Sequence, residues 1–534
     1  MAAVKTPRIP TPNVFRVSPT PSETVHQRLG ALDARLSWFY VRLLLLTGAS
    51  WAVHAAELVL FAFTRRLVAH NVGMGTYALE ALGVGVFLGA AVGGPLFGLL
   101  VDARGRRSAL LFAMALSLLG MALSAVAKKD YHVIIARIVA GVGLGGELPA
   151  ATVLVQELSP RPMRGLMVAL LEAFTGVGGV VGVVLAFGLA PQIGWRLTYL
   201  AICGCVVYTG VLRFSIPESP RWLASVGRVD EAILVVEKIE QAHEVRPSYD
   251  NLNVQEAPTP AAVESVPSVA RVKASAFDRP VHTLVLWILW TAMAVSSYAL
   301  GVYVPTLISM SGFNMYADWS TIALLHGSQV VGCIIASRML ETRSRKQTLA
   351  YFATLTSVAS VLLSYAPWYE FVVVVVVGTC SVSALLAGTW SCVLAYTPEH
   401  YPTAVRARGV SYAFGFSRLG AAGGVLLYPH MFDVWLMSVS AITWVFAGVL
   451  AATVLGIVVP YGFNPSITGD NNECRDTKTD DSDIDLESGD GREEAEEEEE
   501  TFFAIGAGEH GEAVKELHVA SMTPTPKGVT ETSW

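Results

Sequence analysis

The sequence predicts an all-α membrane protein of about twelve transmembrane helices, arranged as two pseudo-symmetric halves of six. Three observations predict it. Hydrophobic residues make up 53% of the chain and charged residues only 15%, with a mean hydropathy of +0.50, a mix far from that of an ordinary soluble domain. Apolar runs of about 20 residues, the length that crosses a hydrocarbon core of about 30 Å, begin near Val41, Tyr77, Ala109, Tyr131, Leu166, Trp195, His282, Trp319, Thr348, Glu370, Ala407 and Val434. A polar motif also occurs twice: Glu157-Leu-Ser-Pro160-Arg-Pro-Met-Arg164 returns as Glu399-His-Tyr-Pro402-Thr-Ala-Val-Arg406, with glutamate, proline and arginine at the same offsets. Each copy directly follows a long apolar run, so each lies where a membrane helix meets water, and about six helices belong to each copy.

The chain divides accordingly. Residues 1–36, with Pro7, Pro10, Pro12, Pro19 and Pro21, read as a disordered arm. Residues 37–216 form the first six-helix half and 281–462 the second. Between them, 217–280 hold a cytosolic helix and linker: Val229, Ala232, Ile233, Val236 and Ile239 share one face of a helix starting near Asp230, expected to lie under the bundle. Residues 463–534 carry about twenty acidic against about five basic side chains, a solvated, disordered tail whose partner the sequence does not name.

Loop charges set the orientation. Arg104, Arg106 and Arg107; Arg161 and Arg164; the stretch from Arg221 to Arg279; Arg343, Arg345 and Lys346; and Arg406 with Arg408 all fall in alternate loops. The positive-inside rule makes those loops and both termini cytosolic. Arg65, Arg66, Lys128 and Lys129 oppose the trend without reversing it. No cleavable signal peptide is expected, because the first apolar run is long enough to remain as a helix.

Several classes are excluded. Five of the six cysteines sit in apolar runs and no CxxC spacing occurs, so disulfides and zinc are not expected. The glycines from Gly141 to Gly146 follow no soluble strand, which rules out a phosphate loop. No nucleophile and base set or metal cluster appears, so an enzyme is disfavoured, and neither a cofactor nor a nucleic-acid partner is expected. Gly85, Gly89 and Gly93, and Gly94 with Gly98, recur every four residues and predict close helix packing.

Charges inside the bilayer are expensive and therefore mark function. At about 1.5 Å per residue, Glu57 lies roughly 22 Å from the cytosolic end of its helix, and Arg137, on a helix running the other way, roughly 9 Å from the opposite face. In a core of about 30 Å those depths coincide, so the two can pair. His54, one turn before Glu57, either shuttles a proton or hydrogen-bonds within the bundle. Arg418 falls near the midplane with no acid in its own helix, which suits an anionic substrate group or a structural carbonyl, and His326 lies at a similar level. Glu147 and Glu172 both fall in the inner half of the first six-helix domain, each able to bind a cation, carry a proton or be buried protonated. Trp51, Trp287, Trp290, Trp390, Tyr298 and Tyr303 could wall an aromatic-friendly cavity.

In order along the chain, several segments resemble the major facilitator superfamily, in the branch of the sugar porters, the bacterial niacin transporter and the synaptic-vesicle-two-related proteins. Gly98-Leu-Leu-Val-Asp102-Ala-Arg104-Gly105-Arg106-Arg107 is similar to the superfamily's loop between helices two and three. Its second-half counterpart, Glu341-Thr-Arg-Ser344-Arg345-Lys346, has serine in place of the expected glycine. Pro217-Glu218-Ser219-Pro220-Arg221-Trp222 resembles the sugar-porter signature. Arg137 to Pro149, Leu171 to Phe174, Tyr396 to Glu399 and Ser417 to Ala421 are nearest to the niacin and vesicle-protein branch. The resemblance covers nearly all of the membrane body and neither tail.

The resemblance implies an alternating-access transporter of a small organic solute, plausibly an organic anion, in symport with protons. It aligns Glu57 with the proton-coupling acid of sugar porters and Arg137 with its partner, with His54 beside them. Substrate contacts are expected from Arg418, Trp390, Tyr298, Glu147, Glu172 and His326. The cytosolic gate is expected from Asp102, Arg106, Glu157, Arg164, Glu341, Arg345, Glu399 and Arg406, with each motif glutamate bonded to the arginine seven positions on, across a proline-stiffened turn. A sugar or polyol carrier is the alternative within transport, although Trp287 to Pro305 lacks the glutamine-rich pattern of sugar porters. A non-transporting receptor or scaffold of the same fold is the alternative outside it.

Overall fold

The computed structural model describes residues 21–30, 37–160, 163–242, 280–310, 319–365, 372–401 and 405–459. Among them, twelve helical spans are long and apolar enough to cross a membrane. The first half comprises α2 (Trp38–Val72), α3 (Thr76–Arg104), α4 (Arg106–Val126) and α5 (Asp130–Leu158). Its fifth span runs through α6 (Arg164–Val183), a π-helical segment (Val184–Leu189) and α7 (Ala190–Ile193), and its sixth through α8 (Trp195–Cys203) and α9 (Val206–Ser215). The second half comprises α12 (Pro280–Met310), α13 (Trp319–Thr342), α14 (Arg345–Ser364), α15 (Val372–Tyr396), α16 (Arg406–Asp433) and α17 (Val439–Thr453). Short helices α10 (Pro220–Ser225) and α11 (Val229–Ala242) follow the first half, and α1 (Pro21–Gly30) precedes it.

The spans begin within a few residues of the expected starts, except the last. Instead of starting near Val434, α17 begins at Val439, because α16 continues to Asp433 and the chain then turns through Leu436 at φ 52°. Ser438 accepts a hydrogen bond from the Ala441 N–H at 3.2 Å and caps the new helix. Glu370, Arg161, Pro402 and the side chain of Tyr303 lie outside the described residues, as do the linker from 243 to 279 and the acidic tail.

Inside the first half, α3 and α5 meet at their glycines. A side chain at Gly89 or Gly93 would run into the backbone carbonyl of Ile138 or Val142, and one at Gly141 into that of Val86. Without side chains in the way, the two backbones approach closely, which supplies packing where lipid offers no hydrophobic drive. Gly94 and Gly98, offset by one residue, turn to the other half and pack on Ser411 and Gly415 of α16. One helix therefore serves as a rigid element of its own half and as a sliding surface for the other.

Both copies of the repeated motif stand at the same end of the bundle. Arg406 Nη1 lies 3.9 Å from Glu157 Oε1 across the two halves, and the Arg345 guanidinium covers Gly165. A parallel duplication requires this arrangement, with its axis along the membrane normal. At that same end lie α10 and α11. The predicted amphipathic face is present in α11, where Ala232, Val236 and Ile239 are buried.

The proline-rich arm departs from its expected disorder at residues 21–30. There, Val25 and Leu29, one turn apart, are buried, and α1 packs on α10 and α11. Arg28 grips Glu240 of α11 with both Nε and Nη2, at 3.0 and 2.6 Å. Composition marked this segment as polar, but two apolar residues at helical spacing and one bidentate ion pair hold it in place.

Gly93→Val is expected to cost about 1–3 kcal/mol by overpacking and to lower the thermal midpoint measured by size-exclusion in detergent. Gly448→Ala, around which nothing lies within 4 Å, should leave that midpoint unchanged.

Candidate functional site

The motif face is built from helix ends. Gly105, at φ 96°, lets the chain leave α3 and enter α4 without an intervening loop, in a backbone conformation that side chains rarely adopt. The Glu218 carboxylate fills the space beside it, accepting from the backbone N–H of Arg106 at 2.9 Å and of Arg107 at 3.1 Å. These are orphan donors at the positive end of α4, so an acid there is doubly favourable. Trp222 donates its indole N–H to the Asp102 carbonyl at 2.9 Å and closes α3 in the same way. Ser219 caps α10, with Pro220 at the first helical position, and gives its hydroxyl hydrogen to Glu157 at 2.5 Å.

Onto this frame the ion pairs are laid. Arg106 holds Glu157 with Nε and Nη2, at 2.9 and 3.1 Å, and both residues are only 1% exposed. The second half repeats the pair, with Arg345 Nε 2.5 Å from Glu399. Two links then join the halves: Arg408 Nε donates to Asp102 at 2.6 Å, and Arg406 approaches Glu157.

These pairings correct two expectations. The motif glutamates do not bond the arginines seven positions later. Arg164 instead donates to the Ser159 carbonyl at 3.3 Å and Arg406 to the Pro398 carbonyl at 3.0 Å, satisfying backbone acceptors left over at the end of the preceding helix. The carboxylates go to the arginines that open α4 and α14. Glu341 also stands apart from the gate, pairing at 3.4 Å with Arg338 one turn back on its own helix. Where the second half has Arg408, the first has Leu166, so among the described residues Glu341 has no counterpart of that cation.

Deeper in the first half, Glu57 and Arg137 meet. Glu57 Oε1 and Arg137 Nη1 are 3.3 Å apart and both side chains are fully buried. The guanidinium lies over the Phe61 ring, 4.2 Å from its centroid, and 3.0 Å from the Met121 sulfur. Among the described residues, Arg137 Nε and Nη2 and Glu57 Oε2 have no hydrogen-bond partner, so one bond joins the pair. Beside it, His54 Nδ1 is 3.0 Å from Glu147 Oε2, and Ser117 donates to Glu147 Oε1 at 2.7 Å. Ser117 also interacts with Glu57 and so stands between the two acids.

A small cavity separates the halves at this level, lined by His54, Leu58, Phe87 and Leu144 of the first half and by Phe414 and Arg418 of the second. Arg418 donates to Tyr298 at 2.8 Å and to Ser417 at 3.3 Å, and lies 4.1 Å above the Phe414 ring. Tyr298 in turn sets its ring edge on Phe87, 5.0 Å away in the other half. The other expected substrate contacts lie off this cavity. Glu147 is engaged by His54 and Ser117, and Glu172 is buried beside Trp51 and Thr175. His326 packs on Gly176 and Gly179 of α6, and Trp390 donates to Ser297 at 2.9 Å. Ser117, Phe87 and Phe414 join the network without having been marked by any sequence pattern, and Glu218 was marked only within the Pro217 to Trp222 signature. Arg408 was visible only as loop charge.

The family model described as "Sugar (and other) transporter" matches residues 46–463. The chain belongs to this family of the major facilitator superfamily. It is 29% identical over 394 residues to the niacin transporter of Acinetobacter baylyi, covering 74% of this chain and 87% of the relative. It is 25% identical over 421 residues to the synaptic vesicle 2-related protein of Xenopus laevis, covering 75% and 74%. The proton:xylose symporter XylE of E. coli superposes with a TM-score of 0.64 at 16% identity, over 80% of this chain and 96% of the symporter, a likeness of fold. Family and fold make the chain a multi-pass membrane transporter rather than an enzyme.

Asp102→Asn is expected to weaken the contact between halves by about 1 kcal/mol, the scale of a partly exposed ion pair. Alkylation of a cysteine introduced by Ser411→Cys, from the motif side, should then accelerate roughly fivefold. Glu341→Gln should leave the rate unchanged; an equal effect of both substitutions would mean that the Asp102 contact is not a latch.

Proposed function

We propose that this transporter carries a small organic anion in symport with protons, by alternating access, with the motif face and both termini toward the cytosol. Arg418 carries the reading: a guanidinium in the cavity between the halves, held by neutral hydroxyls and an aromatic face, with no ion pair to a carboxylate among the described residues. A fixed cation at that depth is costly unless an anion joins it, and its several donors suit a carboxylate. The niacin transporter among its relatives supports an aromatic carboxylate as the first candidate.

Coupling is assigned to Glu57. The motif face is latched, so the cavity loads from the opposite side. A proton arriving on Glu57 cancels the charge that holds Arg137, and the single bond between them leaves little else to break. Proton affinity that differs between the two conformations is what lets a gradient bias the cycle. The alternative of a sugar or polyol carrier loses its main support, since Pro217 to Trp222 caps helix ends at the gate and does not touch the cavity.

Arg418→Ala should reduce niacin uptake into proteoliposomes at least tenfold, after subtraction of protein-free vesicles, with the folded yield retained. Retained niacin uptake would make Arg418 structural, and binding without flux in the parent protein would favour a receptor.

Glu57→Gln should lose accumulation driven by an acid-outside pH gradient and keep exchange at equal pH. A mutant that still concentrates niacin would move the coupling site elsewhere.

A further inference from the structure

The strongest unexplained feature is the orientation of His54. Its ring is 4% exposed and wedged between two environments. On one side, Nδ1 meets Glu147, whose two oxygens accept from His54 and from Ser117. With Glu147 taken as a carboxylate, which can only accept, Nδ1 carries the hydrogen. On the other side, His54 lines the cavity that Arg418 lines from the opposite half, and its Nε2 has no partner among the described residues.

In the neutral tautomer with the hydrogen on Nδ1, the unpartnered Nε2 carries a lone pair on the part of the ring turned away from Glu147. A lone pair repels a carboxylate. When the ring takes a second proton, Nε2 becomes an N–H donor facing the same space as the Arg418 guanidinium, and Glu147 balances the added charge. His54 meets Glu147 of α5 and shares the cavity with Arg418 of α16 and with Val86, Phe87 and Ala90 of α3; other buried titratable or charged groups of α2 and the elements packed on it include Glu57, Arg137 of α5, Glu172 of α6 and Tyr199 of α8.

We infer that His54 and Arg418, one from each half, clamp the two oxygens of a single carboxylate, and that His54 must bind a proton to do so. The substrate would be a monocarboxylate with an apolar body, because the rest of the lining is Leu58, Val86, Phe87, Ala90, Leu144 and Phe414. The inference rests on Arg418 as the anion site and adds a second protonatable group to Glu57. Proton and anion would then bind together, each raising the affinity for the other. The clamp also gives the anion a contact to both halves, so that its binding favours their closure around it.

The test uses the full-length protein in detergent with benzoate, ionised throughout the range from about pH 6 to 8. Titration in weakly buffered solution should show up to one proton taken up per benzoate bound, and the apparent affinity should fall by up to tenfold per pH unit toward the alkaline end. His54→Gln, which keeps a donor without titrating, should bind with an affinity independent of pH and take up no proton. Glu147→Gln should keep the histidine, lose its counter-charge and weaken binding at low pH at least tenfold; this variant stands as the test if His54→Gln does not fold. Glu57→Gln should retain proton uptake on binding, which separates this inference from the coupling assigned to Glu57. Absence of proton uptake, a pH slope that survives His54→Gln, or failure of benzoate to bind at any of these pH values would overturn the clamp. Loss of uptake in Glu57→Gln alone would overturn it too, and leave the Glu57 assignment standing.

Discussion

A charged side chain at the centre of a bilayer costs about 2.5–3.5 kcal/mol even on insertion scales that let it relax, and the interior of this transporter is organised around meeting that cost. Arg137 meets it with Glu57 and with the Phe61 ring. Glu147 meets it with His54 and a serine hydroxyl. Arg418 hydrogen-bonds only neutral partners and lies on a ring face, with Glu172 of the first half as an acid that it feels without bonding. The distribution is lopsided: the described acid and base pairs at depth belong to the first half, and the second contributes one cation. Duplication made the scaffold symmetric, and the buried charges made its two halves chemically distinct.

Ion pairs at the motif face obey a different balance. Near water, a pair such as Asp102 and Arg408, at 12% and 36% side-chain exposure, contributes little and breaks at little cost. One of the two links between the halves is of this kind; the other, Arg406 at 3.9 Å from Glu157, is buried but long. Within the first half, the buried Arg106 and Glu157 pair is bidentate and backed by Ser219, and the second half repeats it with one bond from Arg345 to Glu399, so each holds the helix ends of its own half together. Strong contacts inside each half and weak ones between them are what rigid-body rocking needs. The segment from Ile216 to Trp222 belongs to this machinery, since its glutamate, serine and tryptophan each secure a helix terminus or a motif carboxylate.

How much of this was legible in the sequence depends on which physical quantity the sequence encodes. Helix number and placement follow from apolar run length, and depth follows from a fixed rise per residue, which is why the meeting of Glu57 and Arg137 could be expected. Rotation about the helix axis is not encoded so directly. That His54 would turn to Glu147, and Glu147 away from the cavity, required the packing of α2, α4 and α5. Partner choice among several arginines was also hidden: Glu157 and Arg164 are seven positions apart in sequence, yet Arg106 takes the carboxylate by presenting a two-pronged fork. The docked helix α1 was obscured because proline content describes a whole segment, whereas Val25, Leu29 and Arg28 act as individuals.

The account comes down to one claim, that an organic carboxylate and its proton meet between the halves at Arg418 and His54. Electron cryomicroscopy of the full chain with niacin at about pH 6 tests it most directly. The account predicts carboxylate density within hydrogen-bonding distance of the Arg418 guanidinium and of His54 Nε2, with the ring against Phe414. Ligand density elsewhere in the bundle, with Arg418 still bonded only to Tyr298 and Ser417, would contradict it.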